Sequence, residues 1–320
     1  MAEIFLQQRS KATWFKLGDD NTKYFFWVIK HRRLQHAITQ LEDKHGVIQH
    51  EQEVIAAIMV DYYTELLGRK KIHRVRAFNS FLKAGRILDI TKQFESIRPY
   101  TEKEVKQTMF SIDKNKILGP DSYGSDFFQV AWGIIGKDVT KEILEFFHTG
   151  KLRKQLNATM ISLIPMITVP QNAGQFRPIS CSENQAAFVE GRSLAHNVLI
   201  CHDILRHYNR KATPRFLMKI DLRRAYDMVS WDFIQETLQG YGFPDSFTSL
   251  VMTCVTITRF TVKVNEDGFG YFEGRRGLRQ SDPMSPLHFV LVMEYLTRSL
   301  NKMSELSDFR FQVSSNVQKN

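Results

Sequence analysis

The chain reads as an α+β protein, on three observations. Apolar residues recur at helical spacing over long stretches, as in Val54, Ile55, Ile58, Tyr62 and Leu66. Short apolar runs bounded by turn residues mark strands, among them Phe216-Leu217-Met218 with Ile220. Finally, 43% hydrophobic residues with 24 Phe let 320 residues bury a large core, split over two or three subdomains.

The elements follow in order. Residues 20 to 35 have a helical face of Tyr24, Phe25, Val28 and Ile29, and a hairpin follows with Asp43-Lys44-His45-Gly46 as its turn. Residues 51 to 67 form a second helix. From Gly68 to about Tyr100 periodicity is lost and basic residues gather (Arg69, Lys70, Lys71, Arg74, Arg76), which predicts a linker or loosely packed connection. Thr101 with Glu104 is a capping box opening a helix through Phe110. Phe127 to Phe147 is mainly helical, and Met160 to Met166 is a strand stopped by Pro165. A helix from Asn184 to about Tyr208 precedes the strand ending at Asp221. Two helices, a hairpin and a final helix from about Pro283 complete the chain. Asp282 is positioned to cap that last helix, with Pro283 first in it. Its stripe of Phe289, Val290, Val292, Met293 and Leu296 is read as core.

Charge narrows the class. Lys plus Arg number 44 against 34 Asp plus Glu, a formal charge of +10, which favours polyanionic partners, nucleic acid first. Cys181, Cys201 and Cys254 are odd in number without CxxC spacing, which fits a reducing compartment and neither a disulfide framework nor a zinc site. No apolar run approaches the ~20 residues that span a bilayer, so no membrane partner is expected. Gly268, Gly270 and Gly274 miss the G-x-G-x-x-G spacing, and no P-loop is present.

The richest segment is FLMKIDLRRAYDMV, from Phe216 to Val229. An apolar run hands Asp221 to its C-terminal end, amid Arg206, Arg210, Lys211, Arg215, Lys219, Arg223 and Arg224. An acid at a strand end in a basic field suits magnesium-dependent chemistry on a polyphosphate. A surface loop with an ordinary acid is the alternative for this segment taken alone.

A second segment, GRRGLRQSDPMSPLHFVLVMEYL from Gly274, makes the resemblance specific. Together the two resemble motifs A and B of the reverse transcriptase of plant non-LTR (LINE-type) retrotransposons. WFKLGDDNTKYF, NKILGPDSYGSDFF, MISLIP, FRPIS and ENQAAFVEGRS precede them in the family's order, so that seven motifs cover the chain from about Gln8 to about Lys302. The fold implied is a right-hand polymerase fragment, with fingers and an antiparallel palm sheet and without the thumb. Residues 1–100 would be an N-terminal linker and helical region, 101–180 a finger-like extension, and 181–320 a partial palm.

The resemblance also implies roles. Asp221 would be the catalytic residue and a Mg2+ ligand. Arg177 would meet the triphosphate as a fork suited to phosphate. Tyr226 would stack under the sugar and exclude a 2′-hydroxyl, with Gln280 beside the nucleotide. Lys114, Lys116, Arg223, Arg224 and Arg279 would face the template. Three positions depart from the pattern: Met166 stands where a lysine is common, Ser281 where glycine is usual, and Cys181 runs into Ser182 where an apolar helix is expected. An internal deletion at 181–182 would uncover Val251 and Val255. No Ala-Asp-Asp follows the Met293 helix, as in a chain truncated before that motif. Two dications about 3.5–4 Å apart need several carboxylates, and Asp221 is the one expected ligand here. The implied function is RNA-directed DNA synthesis on an RNA template and DNA primer from deoxynucleotides, in nucleus or cytoplasm, in a fragment inactive by itself. A non-catalytic nucleic-acid-binding remnant and an unselected pseudogene product are the alternatives.

Overall fold

The computed structural model describes residues 27–28, 30–31, 34, 37–70, 73–113, 124–153, 158–180, 222, 224–279 and 282–306. Trp27, Val28, Lys30, His31 and Leu34 are helical. The expected helix from Asn184, the strand ending at Asp221 and the 181–182 junction lie outside the described residues.

Strands β1 (Leu41–Glu42) and β2 (Ile48–Gln49) form the expected hairpin. Its turn is built by Asp43, whose carboxylate accepts from the backbone N–H of His45 (2.8 Å) and Val47 (3.0 Å) and from Gln49 Nε2 (3.0 Å). These bonds hold the Asp43 carboxyl below its usual range. Helix α1 (Gln52–Leu67) follows.

Four strands form the main sheet, in the order β4-β3-β5-β6. They are β3 (Ala158–Pro165), β4 (Phe176–Ser180), β5 (Arg259–Val264) and β6 (Asp267–Glu273). The β3–β5 pair is parallel, with Ile161 opposite Val262, and the other two pairs are antiparallel. Burial along β5 alternates strictly, so Phe260, Val262 and Val264 face α1. There they meet Ile55, Met59 and Tyr63 with Ile161 and Phe176, forming the first core. Each such side chain, when fully buried, contributes about 1.5–3 kcal/mol. Tyr63 is buried and its hydroxyl donates to the Phe176 carbonyl (3.1 Å). The sheet thus takes strands from both the 101–180 and the 181–320 segments.

A second core lies between α7 (Trp231–Gly240), α8 (Asp245–Thr256) and α9 (Ser285–Ser304), around Val229, Trp231, Ile234, Leu238 and Leu278. Val251 belongs to it at 4% exposure, with Val255 packed alongside. The expected loss of cover over these two valines is therefore corrected: α7 and α9 supply apolar neighbours. The last helix also departs from expectation. It starts at Ser285 with Pro286 in its first turn, and the Asp282 carboxylate accepts from Met284 N (2.9 Å) one turn earlier. Its buried residues are Ser285, His288 and Arg298; of the expected core stripe Phe289 and Val292 pack against the second core, whereas Val290 is exposed.

Residues 68–70 and 73–100 are not a loose linker. Helices α2 (Asn79–Leu82) and α3 (Ile90–Ile97) lie within them. Arg74 forks onto the Glu236 carboxylate, which also accepts from Ala77 N (2.9 Å). Buried Arg298 donates to the carbonyls of Leu82 and Arg86, pairs with Glu294 (3.0 Å), and lies 4.2 Å from the Tyr241 ring centroid. One guanidinium thus satisfies the carbonyl of the last α2 residue and one in the loop after it, and ties the segment to α9.

Helices α4 (Glu102–Ser111), α5 (Ser125–Val130) and α6 (Trp132–Thr149) pack on one another. The expected capping box is present: Thr101 Oγ1 accepts from Glu104 N (3.3 Å), and Glu104 accepts from Thr101 N (2.9 Å). Gln129 closes α4 by donating to the carbonyls of Met109 (3.1 Å) and Ile112 (2.8 Å).

Candidate functional site

The two motif segments meet. Leu278 N donates to the Tyr226 carbonyl (2.9 Å) and Gly277 N to the Val229 carbonyl (2.8 Å). Trp231 Nε1 donates to the Gly277 carbonyl (2.8 Å), so the first residue of α7 locks the joint. Gly277 has φ +89°, and a Cβ there would lie 3.0 Å from the Asp227 carbonyl oxygen and 3.3 Å from Leu67 Cδ2. Only glycine combines that backbone with that approach.

A crevice follows this joint, lined by Asp227, Phe260, Gly277, Leu278 and Arg279, and continues past Asp282, Cys254 and His288. Arg279 and Asp282, both on its wall, form an ion pair three residues apart (2.5 Å). Burial, outweighing the nearby Asp282, pushes His288 below its usual range and leaves it neutral at pH 7, and burial also pushes the Cys254 thiol up. Asp227 is buried at the crevice wall.

Tyr226 lies in the turn after the Asp221 position. Its ring stacks on Phe289 of α9, with centroids 4.5 Å apart and an interplanar angle of 17°. Burial pushes its phenol up to about 12. Arg224 sits in the left-handed region (φ 53°). Its guanidinium donates to the Gly174 carbonyl (2.9 Å) and lies 5.2 Å from the Tyr62 ring centroid. Arg177 is exposed on β4, opposite Ile164. Its neighbours Phe176 and Pro178 are buried, so alternation turns Arg177 to the other sheet face. Asp221, Arg223, Gln280, Lys114 and Lys116 lie outside the described residues.

The structure thus brings Tyr226 and Arg279 together at one joint, and Arg224 to the turn that precedes Arg177. Sequence reasoning missed Tyr62, Gly174, Cys254 and His288 there. A tyrosine, a glycine, a cysteine and a histidine far apart in the chain carry no local pattern that would have marked them. For the Mg2+ that the resemblance implies, the fit is incomplete. Among the described residues no three His, Cys, Asp or Glu side chains cluster to hold a metal. Asp282 is already paired with Arg279.

A mixed sheet backed by helices, with its two motif segments locked together, fits a nucleic-acid polymerase domain, and comparison identifies which. Residues 151–313 match the sequence profile of the family described as reverse transcriptase (RNA-dependent DNA polymerase), and the chain belongs to that family. It is 23% identical over 300 residues to the 149 kDa protein of transposon TX1 from Xenopus laevis, covering 86% of this chain and 23% of that protein. It is 25% identical over 305 residues to the Pol polyprotein of the type-2 retrotransposable element R2DM from Drosophila melanogaster, covering 84% and 27%. A Pol polyprotein of a type-1 element R2 from Nasonia vitripennis is 21% identical over 225 residues, covering 63% and 21%. The chain spans about a quarter of the length of these curated relatives.

Proposed function

We propose that the chain is the nucleotide- and template-handling portion of a reverse transcriptase from a plant non-LTR retrotransposon, retaining polynucleotide and nucleotide binding without extending a primer by itself. The observation that carries this reading is the backbone joint of Tyr226 and Val229 with Gly277 and Leu278. It joins the turn after Asp221 to the loop holding Arg279 and Gln280, within a family defined by template-directed DNA synthesis. In this reading Arg177 meets the triphosphate, Tyr226 walls the sugar, Gln280 lies beside the nucleotide, and Lys114, Lys116, Arg223 and Arg279 track the template; Arg224, expected there as well, has its guanidinium on the Gly174 carbonyl. Asp221 is the catalytic carboxylate and Mg2+ the ion of the family reaction. The inactivity rests on the 320 residues themselves, which contain no Ala-Asp-Asp to supply further carboxylates.

The charge of +10 sets the test. An RNA template annealed to a DNA primer should bind through phosphates, with log affinity falling linearly in log salt and little change between base sequences. Fluorescence anisotropy across a salt series measures both. Affinity indifferent to salt would contradict phosphate-led binding. Failure to bind at low salt would remove the reading altogether.

A further inference from the structure

Arg224 occupies a costly conformation for a residue with a side chain, and what it gains is specific. Its left-handed φ of 53° starts a turn closed by Met228 N donating to the Arg224 carbonyl (3.1 Å). From there its guanidinium reaches the Gly174 carbonyl (2.9 Å) over the face of Tyr62 (5.2 Å). The receiving end is a built seat. Gly174 lies in the 3-10 turn Ala173–Gln175, closed by reciprocal bonds of Asn172 and Gln175. A Cβ at Gly174 would come within 3.2 Å of Asn172 Oδ1, 3.4 Å of Arg224 Nη2 and 3.4 Å of the Tyr62 hydroxyl. The next residue, Phe176, begins β4, and its carbonyl accepts from Tyr63. Consecutive tyrosines of α1 therefore hold two things: Tyr63 the strand that carries Arg177, and Tyr62 the arginine of the turn that carries Tyr226.

We propose that Arg224 is a positioning residue for nucleotide binding, a latch from the 224–228 turn to the 3-10 turn before β4 that fixes Tyr226 relative to Arg177. It acts through those two residues, and the proposal rests on the reading that Arg177 and Tyr226 take the triphosphate and sugar of a deoxynucleotide. A cationic fork suits the task, because one guanidinium donates in its plane to a carbonyl while its face lies on an aromatic ring. Lysine offers the donor without the flat face, so Arg224→Lys should recover part of the function.

The test uses the full chain with dGTP and Mg2+ as the probe, and compares Arg224→Gly, Arg224→Lys and Tyr62→Leu. Glycine removes the side chain while relieving the backbone, so folding is preserved. The expected result is about tenfold weaker dGTP binding by Arg224→Gly, with Lys intermediate and Tyr62→Leu weakened. Hydrogen exchange should quicken in peptides covering 173–180 and 224–229 and stay unchanged in α4 to α6. Unchanged exchange at 173–180 in Arg224→Gly overturns the latch. Equal dGTP affinity in parent and Arg224→Gly overturns the positioning role. A parent chain that binds no dGTP overturns the nucleotide reading of Arg177 and Tyr226, and the positioning role falls with it, even where the exchange data show the latch.

Discussion

Replacing Gly277 by alanine should unfasten the joint between the two motif segments. A left-handed φ costs an L-residue roughly 1–2 kcal/mol, and Gly277 sits at +89°. The new Cβ would lie 3.0 Å from the Asp227 carbonyl oxygen, a backbone atom held in the 224–229 turn. Relieving that contact means moving backbone, at a cost of about 1–2 kcal/mol by analogy with overpacked cores. Movement also weakens the bonds from Gly277 N to Val229 O and from Trp231 Nε1 to Gly277 O, both 2.8 Å. The sum is a loss of about 2–4 kcal/mol, felt first in the second core that Trp231 and Leu278 share. Urea denaturation measures it, with Gly133→Ala as control. A Cβ at Gly133 in α6 meets nothing within 4 Å, so that change should be neutral or stabilising. If Gly277→Ala came within about 0.5 kcal/mol of the parent, the close approach would not be what fixes the loop.

Arg298→Met should destabilise by about 2–4 kcal/mol, because the carbonyls of Leu82 and Arg86 lose a charged donor in a buried site. Proteolysis within 68–100 should accelerate, and a rate equal to the parent's would show that Arg74 and Glu236 hold the segment unaided. His288 gives a pH dependence with a definite sign. Its folded pKa lies below the unfolded value of 6.5, so stability is fully present above about pH 6.5 and is lost as pH falls below it. Asp282, Cys254 and Arg279 line the same crevice, and Asp282 opposes the shift without cancelling it. His288→Gln should flatten that slope in melts from pH 7.5 to 5, and an unchanged slope would assign it to other groups.

The elements set by local chemistry were legible in the sequence. Asp43 needs only its next few residues to build a turn, and Thr101 with Glu104 needs only one helical turn. The period of α1 likewise marks a helix, although its buried face runs through Ile55, Met59, Tyr63 and Leu66 and leaves Val54, Ile58 and Tyr62 half-buried. What escaped was long-range. Arg298 satisfies carbonyls more than two hundred residues away, so the segment around Leu82 and Arg86 lacks periodicity yet is held in place. In α3 the half-buried residues are Gln93 and Ser96, while Ile90 and Phe94 face outward, and a pattern argument assigns such a helix the opposite face. At the site, the motifs gave Tyr226 a nucleotide role and Arg279 a template role without pairing their segments, which the bond from Leu278 N to the Tyr226 carbonyl does. No motif held the contact of Arg224 with Gly174, which joins residues fifty positions apart.

Primer extension tests the central claim most directly. The purified 320-residue chain is given an RNA template, an annealed DNA primer, deoxynucleotides and Mg2+ or Mn2+, with Asp221→Ala in parallel. The account predicts that both bind the duplex and neither lengthens the primer. Extension by the parent that disappears in Asp221→Ala would contradict it, showing that these residues alone assemble a working catalytic centre.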